Sequence, residues 1–308
     1  MQPRRRILPG QVMGWKKFCS TAPRNSIALD GIVSAGPMFD ARGPWINFNH
    51  HQNVDRLATR ATCAQVLMAM RQGLFEAFNS PTYIYMNDPD QDVCMSVFLL
   101  ENSYMVMGGN INPLILQLVN MEDCLDTTAG SYTFHNDPLS LARVMWVFEP
   151  YTIFRSNGGI ERKIAKEYDG VITDVGSRIM QFISGSAQAM KLDTDYTVIG
   201  GGKEYEIIDE VGQHARIGMF AKGIKAFVAV KPGKEKGVYR YSIGRFSHFI
   251  PFDVPAILEA LNKAENIGPR DTDRWGGANT IGGSPRIRGS RLHWRKVKKI
   301  IDRIIANQ

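Results

Sequence analysis

Short apolar runs separated by polar punctuation set the pattern of the first half of the chain. Ile27 to Val33, Ile46 to Phe48 and Thr82 to Met86 have the length and composition of buried strands. Between and after them, apolar residues recur at helical spacing. Leu57, Ala61, Ala64, Leu67 and Met68 predict a long helix over 58–78. Ser96 to Leu100 begins another, and Asn112 to Met121 a third that ends at Glu122-Asp123. This alternation over 25–150 predicts an α/β domain whose mainly parallel sheet is flanked by helices.

Residues 155–192 read as helical and connecting. From Thr197 to Val230 the text alternates in the manner of strands (Tyr205, Ile207, Ile208; Ala226 to Val230), with turns at Gly200 to Gly202 and Pro232-Gly233. A helix over Val254 to Ala264 follows. The last segment, Trp294 to Ala306, carries one stripe of Trp294, Val297, Ile300, Ile301, Ile304 and Ile305. The expected organisation is a first domain over 1–155, a helical connector over 156–194, a smaller α+β domain over 195–290, and a basic amphipathic helix over 291–308.

The candidate chemistry lies at the ends of strand-like runs. Asn49-His50-His51-Gln52 follows Trp45, Ile46 and Phe48, and adjacent strand side chains point to opposite faces. One imidazole can then face a metal and the other a substrate oxygen. Asp88, Asp90 and Asp92 follow Tyr83 to Met86 at alternate positions. Like charges at this spacing repel unless a cation neutralises them. Carboxylate plus imidazole suits Mn, Mg, Zn or Fe, and the absence of paired Cys argues against a thiolate site. The plainer readings are an incidental His pair and an Asp-Pro turn.

Composition narrows the class. The 308 residues suffice for two domains, 44% hydrophobic content supports real cores, and a charged fraction of 22% argues against general disorder. Cys19, Cys63, Cys94 and Cys124 are far apart, as in a reduced cytoplasmic protein. No apolar segment follows Arg4 to Arg6, and no run of about 18 apolar residues exists, so neither a secretory signal nor a membrane partner is expected. The net charge of +7 favours polyanionic partners. Much of it lies in Arg4 to Arg6 and Arg286 to Lys299, where a solubility tail and a solvated helix face are the plainer readings.

Together these motifs resemble the DHH phosphoesterase superfamily with a DHHA1-like companion domain. The resemblance rests on Asp30 to Asp40 followed by Phe48-Asn49-His50-His51-Gln52, on Thr59 to Leu67, on Asn87 to Asp92 with Ser96, and on Met121 to Asp126. Downstream, Tyr241 to Ser247 and Trp275 to Ser290 resemble the companion domain, and the likeness covers most of residues 25–290. The motif order is rearranged, with the His pair ahead of the Asp cluster. Asn49 stands where the family motif has Asp, Met86 where many members have a metal-binding His, and Ser34 nearest a further expected Asp.

The resemblance implies a Mn2+-dependent (or Mg2+-dependent) hydrolase that cleaves a phosphodiester or phosphoanhydride of a nucleotide or short single-stranded nucleic acid, with one or two ions. It implies His50, Asp90, Asp92, Asp123 and Asp126 as metal ligands, with Asp30, Asp40 or Asp88 as substitutes where the pattern departs. It implies His51, Asp90 and Asp92 as catalytic residues. Arg245, Gly282, Gly283, Ser284 and Arg286 would hold the nucleotide, since Gly admits an anion close to backbone amides and Arg offers a forked donor. Arg56 and Arg60 could add charge near the substrate, although an exposed arginine without a role is the plainer reading. A homodimer is a possible assembly, and two other classes stay open: a catalytically impaired relative that binds nucleotide or nucleic acid, and an oligomeric structural protein.

Overall fold

The computed structural model describes residues 3–109, 111–130, 132, 137–233 and 235–307. The chain divides into two compact units, residues 1–127 with 136–191, and 192–308 with 128–135. The protein is α/β with two mixed sheets. Among the described residues, no helix is long and apolar enough to cross a membrane.

Unit 1 contains β1 (Arg4–Ile7), α1 (Trp15–Thr21), β2 (Ser26–Leu29), β3 (Met38–Asp40), β4 (Trp45–Phe48), α2 (Thr62–Arg71), α3 (Leu74–Ala77), β5 (Tyr83–Met86), α4 (Gln91–Glu101), α5 (Tyr104–Met107), α6 (Pro113–Thr127), α7 (Pro138–Ser156), α8 (Gly159–Arg162) and α9 (Ala165–Ile183). Its sheet runs β1-β5-β2-β4-β3. The first four strands of that order are mutually parallel, and β3 pairs antiparallel with β4 at the edge. Parallel strands need both faces covered. β2 is buried along its whole length, and on α4 every residue from Asp92 to Leu100 is buried.

Unit 2 contains β6 (Tyr196–Gly201), β7 (Glu206–Glu210), α10 (Ala215–Ala221), β8 (Ala226–Pro232), β9 (Tyr239–Arg245), α11 (Val254–Ala264), β10 (Gly276–Gly277), β11 (Ile281–Gly283) and α12 (Trp294–Ile305). The sheet order is β10-β11-β9-β8-β7-β6, with only β7 and β8 parallel. One face packs on α11 and α12 through Val228, Ile243, Leu261, Val297 and Ile301. The other packs on α10 through Ile208, Met219, Phe220 and Phe227.

Four expectations change. The helix expected over 58–78 starts only at Thr62 and breaks at Gly73, whose φ of +92° a helix cannot continue through. The strand expected to reach Val33 stops at Leu29, because Asp30 adopts a left-handed φ of +44°. The expected connector, 156–194, includes α9, which buries Tyr168, Val171, Ile172, Val175 and Ile179 within unit 1. The terminal α12 belongs to the core of unit 2 instead of standing apart.

The basic run Arg4 to Arg6 is likewise no tail. It is β1, paired with β5. Arg5 grips Glu101 of α4 through Nε and Nη2, both at 2.7 Å, and Asp169 of α9 through Nη1 at 2.8 Å. This fork ties the edge strand to two helices, and charge-assisted bidentate pairs of that kind are the stronger hydrogen bonds. Arg5→Ala should lower unfolding stability by about 1–3 kcal/mol, since Glu101 then stays half-buried without its partner. Denaturant unfolding checks this, and an unchanged midpoint would show that the fork contributes nothing.

Candidate metal centre

The site forms where three parallel strands of unit 1 end. Asp30 follows β2, His50 and His51 follow β4, and Asp88 and Asp90 follow β5. In open α/β sheets the crevice beyond the carboxyl ends of the strands is where ligands bind. Two helices complete the site. α2 points its N-terminus at it, and α6 contributes Glu122, Asp123 and Asp126.

His50 sits at the centre and is fully buried. Its Nε2 lies 2.6 Å from Asp126 Oδ2, 3.6 Å from Asp30 Oδ1 and 3.7 Å from Asp92 Oδ2. Despite the short approach, Nε2 and Asp126 Oδ2 do not meet hydrogen-bond geometry. Both are buried and without a hydrogen-bond partner, as are His50 Nδ1 and Glu122 Oε2. Buried polar atoms without partners are costly. A cation shared by several of these atoms would relieve that cost.

Among the described residues, two overlapping groups have donors close enough to hold an ion: Asp30, His50 and His51, and His50, Asp92 and Asp126, each within 4.8 Å. The donors are carboxylate oxygens and imidazole nitrogens, the set that suits hard or borderline divalent ions. Cys63, although adjacent, is buried beside Asp92, and both effects push its thiol well above its ordinary range. It stays a neutral thiol.

Backbone amides and neighbouring side chains position the acids. Asp92 accepts from the N–H groups of Thr62 and Cys63, both at 2.6 Å. Asp123 accepts from Ala61 N at 2.6 Å. α2 has no capping side chain of its own, so these carboxylates satisfy its first amides and face its positive end. Asp30 accepts from Thr62 Oγ1 at 3.0 Å and pairs with His51 Nε2 at 3.0 Å. Arg56 donates through Nη2 to both the carbonyl and the carboxylate of Asp126 at 2.9 Å.

The carboxylates outnumber their neutralising partners, and their titration reflects it. Burial, reinforced by Asp126 and Asp30, pushes Asp92 up to about 7. Burial and the surrounding acids hold Asp90 and Glu122 well above the usual carboxylate range. Asp30 goes the other way. Burial opposes its charge, but the hydrogen bond from His51 and the two imidazoles keep it ionised well below the usual range. His51 is raised in turn, burial being outweighed by its bond to Asp30.

Of the residues expected from sequence, the structure gathers His50, His51, Asp92 and Asp126, together with Asp30 from the substitutes. Asp40 instead, at the end of β3, pairs with exposed Arg42 of the following turn. Asp90 is within electrostatic reach, but its Oδ1 caps α4 by accepting from Val93 N at 2.9 Å. Asp123 is bound to Ala61 N and lies 3.6 Å from Arg60, outside both candidate groups. Asn49 is a structural residue. Its Nδ2 donates to the Val33 and Ala35 carbonyls and to Gln52, and its Oδ1 accepts from His51 N.

Glu122 was missed. It falls on the apolar stripe of Ile115, Leu118 and Leu125, and an acid on a core stripe is the signal that marks it.

The residues expected to hold a nucleotide lie in unit 2 and are engaged locally. Arg245 donates to the carbonyls of Asn279, His248 and Ile250, which ties the turn after β9. A Cβ on Gly282 would run into Leu258 and the Gly276 carbonyl, and one on Gly283 into the Tyr241 carbonyl. These glycines are explained by close strand and helix packing. Ser284 Oγ accepts from Tyr241 N at 3.0 Å, and Arg286 is exposed. No family model, curated protein or solved structure matches the chain.

The raised acids make the metal-free protein sensitive to alkali. Unfolded Asp titrates near 3.8, whereas folded Asp92 keeps its proton to about 7. The native state thus binds more protons across that window, and stability falls as pH rises through it. Asp90, Glu122 and His51 act in the same direction, while the depressed Asp30 acts only below the ordinary carboxylate range. In EDTA, the melting temperature should be higher near pH 5 than near pH 8. Added Mn2+ should raise it most at the alkaline end, where the ligands are already ionised. A melting temperature in EDTA that climbs steadily to pH 8 would show that the cluster is ionised without metal.

Proposed function

We propose that this chain is a divalent-metal-dependent phosphoesterase that hydrolyses a phosphodiester or phosphoanhydride of a nucleotide or short oligonucleotide, with Mn2+ or Mg2+ as cofactor. One observation carries the reading. A buried imidazole, His50, stands among three carboxylates with neither ring nitrogen hydrogen-bonded, at the carboxyl end of parallel strands.

His50, Asp92 and Asp126 would hold the ion, with Asp30 alongside. When bound, the ion supplies neutralisation of phosphate charge and acidification of water. Arg56 and the α2 amides keep Asp126 and Asp92 in place by direct hydrogen bonds. His51 does the proton work. Its side chain is 32% exposed, so one side is open to a substrate, while Nε2 is fixed by Asp30. Asp30 orients the ring and favours its protonated form, as suits a donor to a leaving oxygen.

These roles separate experimentally. His51→Ala should keep metal affinity but lower turnover by about 10²–10⁴-fold. Asp92→Ala should lose both the ion and turnover. The wild-type rate should fall above the raised pKa of His51, as the acid loses its proton, and also on acidification, as protonation of Asp92 competes with the ion. The assay uses Mn2+ with short oligonucleotides, cyclic dinucleotides and pyrophosphate, alongside calorimetric metal binding. No turnover on any of them overturns the enzyme reading. Binding without turnover supports the second reading, a nucleotide-binding protein without hydrolysis. The structural use of Asn49, where a carboxylate was expected, is the observation that favours that reading.

A further inference from the structure

The excess positive charge of this protein is confined to one stretch. Between Arg286 and Arg303 the chain holds eight Lys or Arg and one acid, Asp302, which accounts for the whole net charge of +7. The rest cancels. Unit 1 has 17 basic and 17 acidic residues, and 192–285 has 12 of each.

Most of that charge stands on a rigid, one-sided scaffold. α12 buries Val297 and Ile301 completely and packs Trp294, Ile300, Ile304 and Ile305 against the same core. Arg295, Lys296, Lys299 and Arg303 are exposed on the opposite side. On an ideal helix these four fall within an arc of about 100°, and Arg295, Lys299 and Arg303 follow one another at steps of about 6 Å. Exposed Arg291 precedes the row, with Glu235 at 3.8 Å and both side chains 77% exposed, a pairing worth little. Asp302 is drawn aside from the row, since it accepts from Tyr205 Oη at 2.9 Å and Lys298 Nζ at 2.6 Å. Like charges one turn apart destabilise a helix. A polyanion would neutralise such a row.

We propose that the outer face of α12, with Arg291, binds the phosphate backbone of nucleic acid. The proposal stands without any chemistry at the His50 cluster. A lipid surface fits less well, because an interfacial helix inserts its apolar face and that face of α12 is already buried. An acidic protein fits less well because protein interfaces need buried anchors, whereas this face presents a row of point charges. Recognition would be of the backbone, without sequence preference, because contacts from Lys and Arg to phosphate oxygens carry no base information.

The test is fluorescence anisotropy of the full chain with a labelled short oligodeoxythymidylate in EDTA, titrated with salt. EDTA removes any contribution from the metal centre, so failure here and failure of the hydrolase reading are distinguishable. With five phosphate contacts, affinity should fall about a hundredfold between about 50 and 200 mM salt. In the variant R295Q/K299Q/R303Q that fall should shrink below about tenfold, with weaker binding at the low-salt end. Circular dichroism checks that the variant is folded. Lys299→Glu, a single exposed change, gives the same direction if the triple variant does not fold. Wild-type affinity and salt slope in the variants overturn the proposal. So does binding to phosphatidylserine vesicles or polyglutamate in place of the oligonucleotide.

Discussion

Carboxylates held out of water around one imidazole are the constraint on which unit 1 is organised. Asp30, Asp92 and Asp126 all approach His50 from different elements, and Glu122 is buried behind them. Burying like charges is expensive, and each remaining proton or hydrogen bond in the region reduces that expense. The amides of α2, the guanidinium of Arg56 and the hydroxyl of Thr62 are spent on these acids instead of on local caps. Such an arrangement is poor as a device for stability alone. It becomes economical when a cation occupies the centre, which is the physical content of the functional reading.

The two units place charge in opposite ways. Unit 1 is neutral overall and concentrates acid inside. Unit 2 keeps a conventional apolar core and carries its excess base outside, much of it on one face of α12. A buried acid cluster is suited to hold a small hard cation, and an exposed basic row to meet an extended polyanion. Each follows from where the same kinds of residue sit relative to water.

Much of the first sheet was legible because its strands are short apolar runs with abrupt ends. Ile46 to Phe48 and Thr82 to Met86 nearly coincide with β4 and β5, and the chemistry at their ends was visible as His50-His51 and Asp88 to Asp92. Periodicity failed where a local feature overrode it. Gly73 divides a helix that the apolar spacing runs straight through, and Asp30 turns the chain three residues after Ile27, inside a stretch whose apolar flanks read as one strand. β1 was hidden because its residues are arginines, which read as a tail until Glu101 and Asp169 are seen to pair with Arg5.

By itself the sequence determined the residue types: clustered Asp, a His pair, no paired Cys, and a basic last helix with one apolar stripe. These depend only on order along the chain. The tertiary structure decided which of the acids share a site. Asp92 and Asp126 reach His50 because α4 and α6 pack against α2 and each other, while Asp90 and Asp123, close to them in sequence, cap α4 and bond the start of α2. On a helix a shift of one or two residues turns a side chain toward another partner. Membership of the site is therefore settled by packing, which residue order alone does not specify.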